Sequence, residues 1–234
     1  MSEFHPAHDE VMGNEGGVNY DPNDRGNVVV NGTAITPTYK GVAPKSWPKW
    51  GGWKYITDCT GQLVKMPLHG TREYYNWAKH LNSKLAEIKA LQQMVLDFYK
   101  ANFWKRLGEI NDQALATWVY DKDVNTGSMG SRWLQDSLGV TVDGMIGSKT
   151  IAAANQADPV ALLEEMKGHA TVYYITIAQK PGQKGFFKSW IGRVGLSPEK
   201  LAQVNSEAHR LGIIAGPLRD SSFTDLFSKH ILTH

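Results

Sequence analysis

A single cysteine, Cys59, gives an internal disulfide nothing to join, and it stands in no C-x-x-C pair of the kind that holds metal or does redox work. Charge of one sign is also scarce. The 25 Lys and Arg residues nearly balance 23 Asp and Glu, leaving +2 with no basic stripe, so no nucleic-acid partner is expected. No run approaches the ~20 apolar residues of a membrane-spanning helix. The opening MSEFHPAHDEVMGNEGG lacks a basic segment followed by an apolar one, so no signal peptide is read there. The expectation is a protein made in the cytosol, without stable membrane insertion, that needs help to reach any target beyond the inner membrane. His5 and His8 share a helix face, but no third ligand follows at a fixed spacing, so neither a metal nor another cofactor is expected. Phosphate-binding glycine loops, a G-x-S-x-G elbow and fixed-period repeats are missing as well.

What is present is an ordinary globular composition, 41% hydrophobic, with eight tryptophans as its one excess. Those indoles serve either as platforms for flat ligands or as bulky core. Phe4, Ala7, His8, Val11 and Met12 recur at helical spacing, which predicts a helix over 4–14 stopped by Gly16-Gly17, with Glu15 at its end. Residues 18–67 read as a long loop region, interrupted by two short strands at 27–30 and 33–36 with an Asn31-Gly32 turn between them. Helical periodicity returns from about 70 and runs to Trp104, in two helices that are free to merge. Further helices are expected over 112–126 with Gly127 as stop, over 129–138 ending at Gly139, and from a Ser148 cap to Asn155. Asp158-Pro159 opens a long helix to about Gln179, and two shorter ones follow at 185–194 and 198–211.

Glu15 is the residue with chemistry in its setting. A carboxyl group between an apolar helix and a Gly-Gly turn can face a cleft that is apolar on one side, which raises its pKa and keeps the proton a general acid must donate. The same position also suits a solvated helix end. Asp21 and Asp24 are the nearby carboxylates for the second half of a sugar hydrolysis, yet Asp before Pro or near Gly is also ordinary turn chemistry. Trp47, Trp50 and Trp53 recur every third residue and form either an aromatic wall for sugars or a small core under the loop. Asp121 and Asn125, four apart on one helix, can face a cleft together or tie two helices.

Glu15-Gly16-Gly17, then Asp21-Pro22-Asn23-Asp24-Arg25-Gly26, then Thr38-Tyr39-Lys40-Gly41-Val42-Ala43 resemble the opening motifs of glycoside hydrolase family 108: EGG, NDPxDxGG and T-x-x-G-I-[AST]. The resemblance continues through Phe98-Tyr99-Lys100 with Phe103-Trp104, through Asp121 and Val124-Asn125-Thr126-Gly127, and through Val142-Asp143-Gly144-Met145-Ile146-Gly147-Ser148-Lys149-Thr150. It ends at Phe187-Lys188-Ser189-Trp190-Ile191-Gly192-Arg193-Val194. Two departures stand out. Val18 replaces the aromatic residue after EGG, with Tyr20 two positions later, and Gly26-Asn27 replaces the second glycine pair, followed by the inserted hairpin that separates Asp24 from Thr38 along the chain.

The resemblance implies a mainly α, lysozyme-like fold with a long N-terminal loop region and a small β-hairpin. It implies a catalytic part over 1–108 and a helical peptidoglycan-binding part over 109–234, packed as one unit. The implied function is an endolysin-type N-acetylmuramidase that hydrolyses the β-1,4 bond between N-acetylmuramic acid and N-acetylglucosamine. Glu15 is its general acid, Asp24 the second catalytic group, and Thr38, Tyr39, Asn125 and Trp50 the substrate-binding residues. A lytic transglycosylase and a binding protein without turnover are the alternatives. The implied partner is the peptidoglycan glycan strand, met by a monomer on the periplasmic side after release by a holin or an export route.

Overall fold

Helix α1 (Phe4–Met12) buries Phe4, Ala7, His8 and Val11, the apolar face that the spacing predicts. The computed structural model describes residues 1–12, 17–30, 33–61, 63 and 65–214, so Glu15, the Asn31-Gly32 turn and the tail from 215 lie outside the described residues. The chain divides into two units, Met1–Val124 and Asn125–His234.

The first unit contains two small antiparallel ladders. Strand β1 (Val18–Asn19) leads away from the EGG motif; β2 (Val28–Val30) and β3 (Thr33–Thr36) are the expected hairpin, with a bulge between Val28 and Val29. Strand β4 (Thr38–Tyr39) returns to pair with β1, Val18 opposite Tyr39 and Asn19 opposite Thr38. That second pairing was not visible in two-residue strands.

Helix α2 (Gly52–Gly61) corrects the loop expected through residue 67. The Gly51-Gly52 pair reads as a breaker, but Gly52 is the first residue of the helix, where a Cβ would stand 2.3 Å from the Trp50 ring. Glycine is there for close packing, and Ile56 one turn on is fully buried. Helix α3 (Arg72–Glu87) starts at a Thr71 cap, whose hydroxyl accepts the Tyr74 N–H at 3.2 Å, and buries Tyr74, Trp77, Leu81 and Leu85. It does not merge with α4 (Lys89–Tyr99), because Ile88 between them is extended at φ −81° and ψ 90°. The break leaves the Leu85 carbonyl to be shared by the Ile88 N–H and the Gln92 side chain. After α4 a π-turn (Lys100–Trp104) and a 3₁₀ turn (Leu107–Glu109) lead to α5 (Gln113–Thr126). Phe4, His8, Tyr99, Trp104 and Tyr120 bring α1, α4, the π-turn and α5 into one aromatic core.

The regular elements of the second unit are helices among its described residues: α6 (Met129–Ser137), α7 (Ser148–Gln156), α8 (Pro159–Ala178), α9 (Phe187–Gly192) and α10 (Pro198–Arg210). The stops at Gly127 and Gly139 are where the sequence puts them, both with positive φ. Asp158 accepts the Val160 N–H at 3.0 Å and Pro159 is the first helical residue, as expected. Ser148 is not the cap of α7: Gly147 takes that position and Ser148 is already helical. Trp190 of α9 stacks on Tyr174 of α8 with centroids 5.7 Å apart, over a core that includes Leu134, Met166, Phe187 and Ile191.

The fold is therefore mainly α with small antiparallel strands, consistent with a lysozyme-like architecture. Among the described residues, no helix is long and apolar enough to cross a membrane.

Candidate active site

The described motif residues between Gly17 and Ala43 gather around the β1–β4 ladder. Gly17, the last residue of EGG, accepts the Lys40 N–H through its carbonyl at 3.2 Å, and the Val18 N–H donates to Asn82 Oδ1 at 2.8 Å. The Asn82 amide lies directly on Gly17: a Cβ there would meet its Oδ1 at 2.1 Å. The second glycine of the motif is thus dictated by close approach, since any larger residue collides with α3.

On the other strand, Lys40 and Gly41 both take positive φ, 44° and 76°, and Tyr39 and Val42 exchange two backbone hydrogen bonds across them. This two-residue turn fits glycine at its second position, the residue that the T-x-x-G pattern supplies there.

Asn27 ties the loop together. It is fully buried, and its Nδ2 donates to the carbonyls of Asn19 at 2.7 Å and Asp21 at 2.9 Å. Its Oδ1 accepts from the Thr38 backbone N–H and from Thr38 Oγ1. The hairpin that separates Asp24 from Thr38 along the chain does not part them in space. A Cβ built on Gly26 would stand 3.0 Å from Thr38 Oγ1 and 3.2 Å from Asp24 Oδ1.

The residues expected at the site are placed as follows. Asp24 accepts from the Gly26 N–H and from Asn19 Nδ2, each at 2.8 Å, so both carboxylate oxygens brace the loop. Tyr39 is 1% exposed. Its hydroxyl accepts from Gln92 Nε2 at 3.1 Å, and burial raises its pKa. Gln92 also accepts from Lys40 Nζ at 2.8 Å, and burial lowers the pKa of that lysine. Tyr20, the displaced aromatic after EGG, is buried with its ring edge-on to Trp77, its N–H donating to the Tyr74 hydroxyl. Asn125 is exposed on α5. One turn earlier on α5, Asp121 pairs with the buried Lys122, whose ammonium lies 5.1 Å from the centre of the Trp118 ring.

Two grooves open on this unit. One, of about 790 Å³, begins at the residues that follow EGG, Val18, Asn19 and Asp21, and is completed from α3 by Tyr75, Lys79 and Asn82. It has the volume and the mixture of hydroxyl, amide and charged groups that hydrogen-bond a sugar ring. The other, of about 610 Å³, is walled by Trp47, Trp50 and Phe98. The tryptophans of this loop are partly packed and partly exposed. Trp53 Nε1 donates to the Trp47 carbonyl at 2.7 Å and packs edge-on against Trp50, locking the loop, while Trp47 stays 38% exposed. Among the described residues no group of His, Cys, Asp and Glu is placed to hold a metal ion.

Sequence reasoning missed Asn27, Asn82 and Gln92. Each is a lone amide whose partners lie elsewhere in the chain, and no local pattern marks it.

The model of glycosyl hydrolase 108 matches residues 8–127, which spans all of these motifs. The chain belongs to glycosyl hydrolase family 108. This is an N-acetylmuramidase family, and membership makes the chain a glycoside hydrolase acting on peptidoglycan. A second model, described as a predicted peptidoglycan domain, matches residues 129–195. No curated protein matches the chain. Among solved structures it is similar to one titled "Structure of Brucella abortus SagA", at 22% identity over 94% of this chain and 97% of that one, with a TM-score of 0.53. That likeness is one of fold.

Proposed function

We propose that Glu15 is the general acid of this muramidase, donating its proton to the glycosidic oxygen while water completes the hydrolysis. The reading is supported by the groove that starts immediately after the EGG motif and by the fastening of Gly17 to α3 and β4, which fixes the chain beside it. A sugar in that groove meets Asp21, which makes Asp21 the carboxylate that faces the substrate. Asp24, Thr38 and Tyr39 act by holding the loop in shape, since their polar atoms are bonded to Gly26, Asn19, Asn27 and Gln92. Trp47 and Trp50 offer ring faces to a further part of the glycan strand. In the cell the enzyme acts as an endolysin, reaching the wall after a holin or an export route lets it pass.

The test is Glu15→Gln. The variant keeps the wild-type fold and loses at least ~100-fold of lytic activity, the usual scale for a general acid. Near-normal clearing of sacculi by that variant rejects the assignment. Mass spectrometry of the released muropeptides reads the second half of the reaction: reducing-end N-acetylmuramic acid marks attack by water, and 1,6-anhydro ends mark a transglycosylase.

A further inference from the structure

The second unit carries a groove of about 750 Å³ between α6 and α8. Met129, Arg132, Trp133 and Asp136 supply one face of α6, and Glu165, Gly168, His169, Val172 and Tyr173 one face of α8, each set at helical spacing. Three observations say what fits there.

The floor is aromatic and the rim aliphatic: the Trp133 and Tyr173 rings meet edge-on at 5.6 Å, and Val172 is 66% exposed beside them. Two carboxylates from different helices then flank the His169 imidazole, and each keeps more than half of its side chain exposed. His169 Nε2 lies 3.5 Å from Asp136 and 3.9 Å from Glu165. The remaining charged group, Arg132, is turned to the carbonyls of Val142 and Asp143, where it holds the turn after α6.

Gly168 supplies the third observation. It sits mid-helix, where glycine costs roughly 0.5–1 kcal/mol relative to alanine, and a Cβ there would meet nothing within 4 Å. Packing within the chain does not require that glycine. The missing side chain instead leaves room on the groove wall for something that is not part of the chain.

We infer that this groove binds the stem peptide of peptidoglycan, seating the aliphatic arm of its diamino acid over Trp133, Tyr173 and Val172 with the terminal ammonium on the exposed oxygens of Asp136 and Glu165, beside His169. The inference rests on the muramidase reading only in taking peptidoglycan as the substrate. A glycan strand alone offers no cation to those carboxylates, whereas the stem peptide carries an ammonium at the end of a methylene chain. The groove therefore holds the enzyme to uncut, peptide-bearing wall.

The full chain is titrated with the tripeptide L-alanyl-γ-D-glutamyl-L-lysine and with its Nε-acetyl form, following tryptophan fluorescence or calorimetry. Acetylation is expected to weaken binding at least tenfold, and Glu165→Gln to do the same for the unmodified peptide. Gly168→Leu fills the open space; it loses binding to the same extent while its thermal midpoint stays equal to or above that of the wild type, an outcome no purely structural role gives. Equal binding of the two peptides, unchanged binding by Gly168→Leu, or no binding at millimolar peptide overturns the proposal. Release of reducing ends from peptide-stripped glycan is followed in parallel and stays at the wild-type rate in both variants. Its absence from the wild-type chain would count against the muramidase mechanism instead, leaving the peptide titration to decide the groove.

Discussion

Gly17→Ala puts the coupling between the EGG motif and helix α3 to a quantitative test. The new methyl group would stand 2.1, 2.3 and 2.4 Å from Oδ1, Cγ and Nδ2 of Asn82, so the whole terminal amide is in its way and a shift of a few tenths of an ångström does not relieve it. Two relaxations exist. Asn82 can rotate away, giving up the 2.8 Å bond from the Val18 N–H and leaving a half-buried donor without its acceptor, at about 1–3 kcal/mol. Alternatively β1 can move, which strains its pairing with β4 and the Lys40 bond to the Gly17 carbonyl; overpacking of this sort costs about 1–3 kcal/mol. The cheaper of the two sets the loss, so Gly17→Ala is expected to lose about 1–3 kcal/mol in urea unfolding followed by tryptophan fluorescence. Asn82→Ala removes the bond and the obstacle together and is expected to lose about 1–2 kcal/mol. With the obstacle gone the methyl group is tolerated, so the double variant should match Asn82→Ala to within about 0.5 kcal/mol, a strongly non-additive cycle. Because the displaced strand begins three residues after Glu15, lytic activity of Gly17→Ala should fall on the order of 100-fold, the scale of a misplaced catalytic group. A Gly17→Ala protein as stable as the wild type, or a double variant whose loss is the sum of the two singles, refutes the reasoning.

Burial lowers the His8 pKa from 6.5 to about 4, so the imidazole is neutral in the fold, bonded through Nδ1 to the Tyr120 hydroxyl at 3.0 Å. The unfolded chain takes up a proton there before the native one does. Stability is then complete above about pH 6.5 and falls as the pH drops towards 4, by about 2–3 kcal/mol. His8→Asn should flatten that part of the urea-midpoint profile; an unchanged slope between pH 6.5 and 4 rules the assignment out. Asn27→Ala removes an amide that makes four hydrogen bonds from a fully buried position, and is expected to cost about 2–4 kcal/mol and to raise hydrogen exchange at Thr38. Wild-type protection of the Thr38 amide in that variant would show that the loop is held by other means.

The parts of this molecule that sequence makes legible are those whose cause is local. The face of α1, the Asp158-Pro159 start of α8 and the glycine stops at 127 and 139 each follow from a few neighbouring residues, and each is found where expected. Helix α2 was illegible because its initial glycine serves the Trp50 ring, a contact that a rule about helix breakers does not contain. The separation of α3 from α4 was open for a similar reason: Ile88 has nothing in its identity to break a helix, and the bonds that support the break come from Gln92. The family motifs were legible in the sequence, but how their residues divide between packing and groove was not. Tyr39 has the composition of a sugar-binding residue, and only its burial beneath Gln92 shows that it packs instead. Asp24 likewise turns out to be engaged on both oxygens by the turn that contains it.

The bond pair between Asn27 and Thr38 has a consequence for the excursion between them. Because the chain is clasped where it leaves and where it returns, residues 28–37 hang from a closed neck, and changes of length beyond that neck do not propagate into the loop below. Such a segment is a natural grafting point. A lineage can lengthen, trim or replace it to suit a different wall, and an engineer can load it with a reporter or an affinity epitope, while the machinery underneath keeps its geometry.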